Sequence, residues 1–534
     1  MMAMRNSEDK KYYNGYTSRM MSLSVLILAF SVFIYMAVTK SNPDGDSFWL
    51  ISTGRWIVEN NKIPKTNPWT FDSGLSVIVQ QPLCAVLNYL WHEQFGLTGM
   101  WMLAVVENFI LLIAMIDYVS LFSNNKTHTF STVAIMEFVI SVLGLGTTRP
   151  YQLTIACSFF LLSFLERCKR KDKVKPIFFI LMIVVLFQAN YQMASLPIQF
   201  CFLFAYALGS SFDRLKNGQK LRELRFIVWI LLFVEFFALS LLNPYGLNGA
   251  TYLIKSRNAL SILSGKIVEM QRPAIISATG ILILICVFCF AYNFRKTKTW
   301  DWCELFLLLG AIIASSLALR NLWMLLVSFS ISYTKAFNEK ERIPEEQEKE
   351  NKGKYIANRI ITEVLPQNLF WMNGLLTKQD SLNENAVKYK IMRNGLLVGS
   401  LLVLFSTLFI SPKLAESTYD KKYKDLIGTI NSLPEDAKTY SSFNTGAFLE
   451  YCGRKCYIDA RPELYSYEIT ESKNLLSEWY NMEWKDMNFE EYVTSSDWDY
   501  YLVVTNTPIE FYFRFSKTAE ALYAADDICL YKCN

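Results

Sequence analysis

Apolar residues run in long, nearly uninterrupted stretches through the first three quarters of the chain. A helix that crosses a bilayer needs about 20 mostly apolar residues, and somewhat fewer inside a bundle. Eleven stretches approach this length: 22–39, 98–122, 130–147, 151–165, 177–191, 195–210, 226–242, 274–293, 303–319, 321–335 and 395–411. The pattern predicts an α-helical integral membrane protein with about eleven transmembrane helices.

After residue 414 the pattern changes to short alternating segments. Residues 424–433 have helical spacing, and so do 474–480 and 489–493. Five short segments read as strands instead: 439–443, 448–451, 455–459, 500–505 and 528–532. The sequence therefore predicts a small C-terminal α/β domain over residues 415–534.

Composition and charge agree with a membrane protein in two parts. Apolar residues make up 52% of the 534 residues and charged residues 19%, which is too apolar for an ordinary soluble enzyme. From Ala415 onward there are 12 basic against 21 acidic residues, whereas the whole chain has a net charge of +5. No basic cluster interleaved with aromatic residues appears, so nucleic acid is not an expected partner.

The basic residues also predict an orientation, because cytoplasmic loops of membrane proteins are enriched in Lys and Arg. With the N-terminus inside, the inner segments 1–21, 123–129, 166–176, 211–225 and 294–302 contain 4, 1, 6, 5 and 3 basic residues. This arrangement predicts a cytoplasmic segment 1–21, a transmembrane core 22–335 with a long external loop 40–96, a cytoplasmic charged loop 336–394, a last span 395–411 and an external domain 415–534.

The first external loop carries the most distinctive pattern. It opens with Asp44 and Asp46, and residues 48–58 then have apolar positions at helical spacing. We expect this helix to lie in the membrane interface with its tryptophans toward lipid, and residues 77–91 to do the same. Acidic residues in a Gly-containing turn are often merely solvated, so Asp44 and Asp46 alone are a weak catalytic signal.

The other external corners are short and polar. Three arginines among them, Arg149, Arg272 and Arg320, could hold a phosphate through bidentate hydrogen bonds. They could equally anchor lipid headgroups, and the neighbouring Pro and Gly residues could simply end helices. In the tail, Asp459 and Arg461 could form an internal ion pair or contact an acceptor, and the four cysteines there fit disulfides or free thiols better than zinc.

These segments resemble a known group of proteins. The run from Asp46 to Ile57, with Asn67-Pro68-Trp69-Thr70 behind it, resembles the first external loop of bacterial multi-pass proteins similar to the C-type glycosyltransferase (GT-C) superfamily. Arg149-Pro150-Tyr151-Gln152 and Asn243-Pro244-Tyr245-Gly246 match the same group, and the segments 444–449 and 457–465 resemble its small external domain. The resemblance spans almost the whole chain.

The resemblance implies transfer of a sugar from a polyprenyl-phosphate donor to a glycan or lipid acceptor outside the cytoplasm. It assigns the catalytic role to Asp44 and Asp46, because an acidic residue of this loop acts beside the acceptor hydroxyl. The implied donor- and acceptor-binding residues are Arg55, Arg149, Tyr151, Gln152, Asn190, Gln192, Asn243, Tyr245, Glu269, Gln271, Arg272, Arg320 and Asn321.

The chain departs from its relatives in its histidines. Leu50, Gln81 and Gln192 stand where relatives tend to have His, and His92 and His128 are the only histidines. Gln can bind a sugar hydroxyl but cannot titrate near neutral pH. A divalent cation is possible, but no His cluster would hold it. The alternative function is a non-catalytic accessory or transport protein for lipid-linked or surface polysaccharide.

Overall fold

Helices dominate the computed structural model. It describes residues 2–41, 43–72, 74–123, 125–144, 147–171, 173, 175–216, 218, 226–256, 259, 271–274, 277–298, 301–337, 384–484, 488–516, 518–525 and 527–533. The long apolar helices are Met2–Met36, Met100–Ser120, Lys126–Val142, Tyr151–Arg170, Lys175–Tyr191, Leu196–Lys216, Phe226–Ser240, Ala278–Thr297, Trp302–Leu317, Trp323–Phe337 and Glu384–Tyr419. Each of the eleven predicted spans coincides with one of them.

The helices form a bundle whose outer surface is apolar. Within the described ranges, five are long and apolar enough to cross a membrane, namely Ser18–Lys40, Leu97–Ser120, Met193–Lys216, Ala278–Thr297 and Ile391–Ser432, and Lys175–Tyr191, Ile227–Ser240 and Trp302–Leu317 are shorter apolar helices. On the last span Phe409 is 83% exposed and Phe405 is 65% exposed. Such side chains fit a surface that faces lipid rather than water.

The loop between the first two spans folds into two further helices, Gly45–Asn60 and Pro82–Phe95. The predicted helix over 48–58 is therefore present, but the expectation that its tryptophans face lipid is wrong. Trp49 is only 4% exposed, because the helix is covered by Pro82–Phe95 on one side and by the C-terminal region on another. Residues 77–81, predicted as helical, lie before the second helix begins.

These two loop helices approach each other at a glycine. A Cβ atom on Gly54 would lie 2.1 Å from the carbonyl oxygen of Ala85 and 2.6 Å from the Cβ of Tyr89. Distances this short are not tolerated between non-bonded atoms, so any larger residue would force the helices apart. Helix Gly45–Asn60 therefore packs closely against helix Pro82–Phe95 at a fixed position.

We expect Gly54→Ala to destabilise this contact by about 1–3 kcal/mol, the usual cost of overpacking. The measurement is thermal unfolding of the detergent-solubilised protein. Gly428→Ala is the matched control, since nothing lies within 4 Å of a Cβ there and alanine favours a helix. Equal melting temperatures for Gly54→Ala and the control would contradict the close approach.

The C-terminal region contains a four-stranded sheet. Strands β1 (Thr439–Ser441), β2 (Tyr500–Val504), β3 (Ala519–Ala524) and β4 (Ile528–Cys533) lie in the order β1-β2-β4-β3. The β1–β2 pair is parallel, and β2–β4 and β3–β4 are antiparallel. Helices Asp425–Ser432, Gly446–Tyr451, Tyr467–Thr470, Leu475–Trp484, Phe489–Ser495 and Pro508–Phe515 complete the region, so the predicted small α/β unit is confirmed.

Two predicted strands are wrong and one strand was not predicted. Residues 448–451 belong to helix Gly446–Tyr451, and 455–459 contribute only an isolated bridge between Cys456 and Thr70. The short helix is buried between the loop helix and the sheet, so its apolar run has no free face and looks like a buried strand. Strand β3 is mostly exposed, which removes the alternation that marks a half-buried strand.

Candidate functional site

Asp44 and Asp46 flank the first residue of helix Gly45–Asn60. Asp44 is the N-cap: its Oδ1 accepts hydrogen bonds from the Ser47 backbone N–H at 2.9 Å and from the Ser47 hydroxyl at 2.8 Å. The Oδ1 of Asp46 accepts the indole N–H of Trp49 at 3.0 Å. A helix N-terminus also stabilises negative charge, so both carboxylates are held in place.

Arg149 joins the two carboxylates. Its Nε lies 2.9 Å from Oδ2 of Asp44 and 2.8 Å from Oδ2 of Asp46. The three side chains are 15% (Asp44), 22% (Asp46) and 23% (Arg149) exposed, so they remain open to a ligand. The sequence alone could not show that these residues meet; in the structure Arg149 contacts both acids. The sequence assigned Arg149 to a phosphate, whereas in the structure its Nε contacts the two acids.

Arg149 reaches this position because the preceding residue is anchored. The carbonyl oxygen of Thr148 accepts a hydrogen bond from Asn88 at 3.1 Å, and its hydroxyl lies 3.3 Å from the Ser47 hydroxyl. Thr148 and Asn88 are both fully buried. The corner before helix Tyr151–Arg170 is thus hydrogen-bonded to both loop helices. This contact places Arg149 at the start of helix Gly45–Asn60.

A third acidic side chain, Glu463, lies in a narrow crevice beside Trp49. Glu463 is 8% exposed, and its Oε1 accepts hydrogen bonds from Tyr252 at 2.8 Å and from the Gln80 amide at 3.1 Å. Burial raises the pKa of Glu463 above its ordinary value. The crevice is lined by Trp49, Ile78, Val79, Gln80, Tyr252, Arg461, Glu463 and Leu464. The sequence analysis did not single out Glu463.

Arg320 is close enough to this crevice for its charge to act on it. Its positive charge lowers the pKa values of Tyr252 and Glu463, although burial raises both more strongly. Arg320 is half-buried and makes no ion pair with any residue that the structure describes. It is therefore a candidate for binding an anionic ligand, and the phosphate-binding role expected from the sequence stays a prediction.

Asp459 and Arg461 form the internal ion pair that was one of the two predictions for them. The Arg461 Nε lies 3.0 Å from Asp459 Oδ1, and an amino group lies 2.7 Å from Glu450 Oε1. Burial raises the pKa of Glu450 well above its ordinary value despite the guanidinium. Burial opposes ionisation of Asp459 as well, but Arg461 and hydrogen bonds, including that from Tyr465, lower its pKa to about 2.

Positive side chains already occupy the places where a metal ion would bind. Glu450, Cys456 and Asp459 form one cluster of possible ligands, but Arg461 lies against both carboxylates. In a second cluster, Asp213, Asp301 and Cys303, Lys169 lies 2.8 Å from Asp301. Arg149 contacts Asp44 and Asp46 in the same way. These clusters among the described residues therefore do not fit a resident divalent cation.

Several other predicted residues make contacts within the protein. The Tyr245 hydroxyl donates to the Pro64 carbonyl at 2.7 Å and accepts the Val79 N–H at 3.0 Å, and burial raises the pKa of Tyr245 to about 12. Asn243 donates to the Ser240 and Gly246 carbonyls. The hydrogen bonds of both residues thus stabilise the loops near the crevice.

The remaining predicted residues fall into two groups. Asn190, Gln192, Gln152, Arg55 and Asn321 hydrogen-bond to protein groups, respectively Leu242, Thr154, Thr147, Tyr451 and Ala314. Tyr151 is half-buried at the start of its helix, and Gln271 and Arg272 are exposed. Glu269 lies outside the described residues.

Comparison with known proteins supports the fold. No protein-family model matches the chain, and no curated protein does. The structure is similar to the apo oligosaccharyltransferase of Archaeoglobus fulgidus, with a TM-score of 0.51, 10% identity and coverage of 90% of this chain and 69% of that one. The same enzyme tethered to an acceptor peptide containing the NVT sequon gives 0.50, 12%, 90% and 69%.

ArnT from Cupriavidus metallidurans bound to undecaprenyl phosphate has a TM-score of 0.49, 11% identity and coverage of 95% of this chain and 97% of that one. Among these structures, those of the oligosaccharyltransferase confirm the GT-C-like membrane fold. At such low identities the likeness concerns the fold alone.

Proposed function

We propose that this protein transfers a sugar from a polyprenyl-phosphate donor to an acceptor hydroxyl outside the cytoplasm. The observation that carries the proposal is the cluster of Asp44, Asp46 and Arg149, partly exposed at the start of a helix that the rest of the protein holds in place. A transferase needs a carboxylate within hydrogen-bond reach of the attacking hydroxyl. The fold shared with an oligosaccharyltransferase supports the same class of reaction.

In this reaction Asp46 accepts the proton of the acceptor hydroxyl as its oxygen forms a bond to the anomeric carbon. The bond between that carbon and the phosphate oxygen breaks, and the polyprenyl phosphate leaves with the electron pair. Asp44 has a different task, because its Oδ1 accepts both the backbone N–H and the hydroxyl of Ser47 and so caps the helix, whereas Asp46 is not the cap. Arg149 holds the two carboxylates side by side by offsetting their repulsion.

Arg320 is the residue we assign to the donor phosphate. Negative charge on the leaving phosphate is best stabilised by donors that are already in place, and Arg320 has no ion-pair partner among the described residues. The proposed topology places this side chain at the outer leaflet, with the N-terminus cytoplasmic and the C-terminal region outside.

Replacing Arg320 by Gln is expected to raise KM for the lipid donor about tenfold or more, since a hydrogen bond to a charged group contributes about 1.5–3 kcal/mol. KM for the acceptor should stay unchanged. Steady-state kinetics of both substrates provide the measurement, and Arg295→Gln, an exposed arginine at the end of helix Ala278–Thr297, is the matched control. An unchanged donor KM would remove Arg320 from the site.

The proposal itself is tested with purified protein and a panel of polyprenyl-phosphate sugars, by measuring released polyprenyl phosphate. Release that requires both donor and acceptor is the expected result. No release from any carrier by folded protein would contradict the proposal. Movement of the intact donor across a vesicle membrane without release would instead indicate transport.

A further inference from the structure

Arg461 makes more contacts with other side chains than any other cation in the described C-terminal region. Its guanidinium is 4% exposed and contacts Asp459 at 2.6 Å and Glu450 at 2.7 Å. Both carboxylates are buried and come from the C-terminal region itself. These contacts fix the direction in which the guanidinium plane points.

The same guanidinium extends out of the C-terminal region into the first loop. One amino group donates to the Thr53 hydroxyl at 3.0 Å, across 408 positions of sequence. The guanidinium carbon lies 4.8 Å from the ring centroid of Trp49 and 4.8 Å from that of Trp69. A cation over an aromatic face within about 6 Å is attracted by the ring, so the guanidinium contacts both indoles at once.

Trp49 connects this contact to the acidic cluster. While its ring packs against Arg461, its indole N–H donates to Oδ1 of Asp46 at 3.0 Å. The other oxygen of Asp46 contacts Arg149. A shift or rotation of the indole would therefore move the donor that orients one oxygen of Asp46. Arg461 and Asp46 are thus linked through the Trp49 indole.

Further hydrogen bonds tie the same two regions together. The Ser52 hydroxyl donates to the Glu450 carbonyl at 2.9 Å, and Arg55 donates to the Tyr451 carbonyl at 3.2 Å. All of them fall on helix Gly45–Asn60, the helix whose first turn carries Asp46. The C-terminal region thus contacts helix Gly45–Asn60 at several positions along its length. Arg461 contacts the Trp49 indole, which donates a hydrogen bond to Asp46 at the start of this helix.

We propose that Arg461 is a positioning residue for Asp46, acting through the Trp49 indole. The inference rests on the proposed function, because it assigns Asp46 the task of activating the acceptor. It gives the C-terminal region a role in catalysis, because the region is required to orient the carboxylate of Asp46 in the first loop.

The first test separates the orientation of Asp46, which affects kcat, from the binding of substrates, which affects KM. Trp49→Phe keeps an aromatic face for Arg461 and removes the N–H that orients Asp46, together with part of the ring, a loss that the control variant shares. We expect kcat to fall about tenfold to a hundredfold, in line with the cost of a small misplacement of a reacting group, with both KM values within about twofold of wild type. Trp498→Phe removes an indole N–H bonded to Tyr492 and is the matched control, expected to keep its kcat.

An unchanged kcat in Trp49→Phe would overturn the proposal, and so would a change confined to KM. The second test does not need activity. Arg461→Lys keeps the charge but loses the planar fork, and hydrogen exchange followed by mass spectrometry should show faster exchange in helix Gly45–Asn60, while β2 and β4 keep their protection. Arg514→Lys, which alters the Glu510 pair within the C-terminal region, should leave this helix unchanged.

The two tests also distinguish failure of the inference from failure of the proposed function. If wild type transfers no sugar but Arg461→Lys loosens the helix, the coupling stands and the transferase proposal falls. If wild type is active and helix exchange is the same in Arg461→Lys as in wild type, the positioning role is overturned while the transferase remains.

Discussion

Replacing Asp46 by Asn is expected to lower kcat for sugar transfer by at least about a hundredfold, within the range for loss of a general base. An amide has nearly the same shape, and its single carbonyl oxygen can still accept the Trp49 N–H. The change removes the charge and the basicity, and with them the ion pair with Arg149. The measurement is kcat for release of polyprenyl phosphate at saturating donor and acceptor, with wild type purified in parallel.

Two variants make this result specific. Asp44→Asn should lose only about tenfold, because Asn is as good an N-cap as Asp and the Ser47 contacts persist. Asp72→Asn removes a carboxylate of the same loop that pairs with Lys473 and should stay near wild type. A folded Asp46→Asn protein with kcat within about threefold of wild type would contradict the assignment of the base.

The second large effect concerns stability and separates two carboxylates that contact the same arginine. Asp459→Asn breaks the buried ion pair between Asp459 and Arg461 and should lower the free energy of unfolding of the C-terminal region by about 3–5 kcal/mol. Glu450→Gln should cost less, about 1 kcal/mol, because burial raises the pKa of Glu450 and so disfavours its charged form. Urea unfolding in detergent, followed by near-UV circular dichroism, measures both.

The pH dependence follows from the same two groups. The pKa of Asp459 falls from 3.8 to about 2 on folding, so its contribution to stability is present above about pH 4 and is lost as the pH falls toward 2. Asp459→Asn should abolish that acid-dependent loss. Glu450, with a raised pKa, contributes below its ordinary value of 4.5 and loses that contribution as the pH rises through its folded pKa. Equal destabilisation by the two variants would contradict this division of charge.

The membrane helices could be predicted because a bilayer imposes a length that the sequence shows directly. Burial against protein could not be distinguished from burial in lipid, and Trp49 is the clearest case: helical spacing predicted its helix, yet its indole faces Arg461 rather than lipid. The strand prediction failed at Phe448 for a related reason, since a helix buried on all sides has no polar face.

The candidate site was partly readable from the sequence. The acids and Arg149 stand out as polar residues at corners predicted to be external, and in the structure Arg149 contacts both acids. Glu463 could not be found this way, because its partners Tyr252 and Gln80 are 211 and 383 positions away. Its position within the run Asp459-Ala460-Arg461-Pro462-Glu463 was the available signal.

The most direct test of the central claim is a single-turnover experiment with enzyme in excess over a polyprenyl-phosphate sugar that is radiolabelled in the sugar. Wild type and Asp46→Asn are compared with acceptor present. The account predicts that the label moves from lipid to acceptor at least about a hundredfold faster with wild type. Label that stays on the lipid, or moves equally fast with both proteins, would contradict a transferase that works through Asp46.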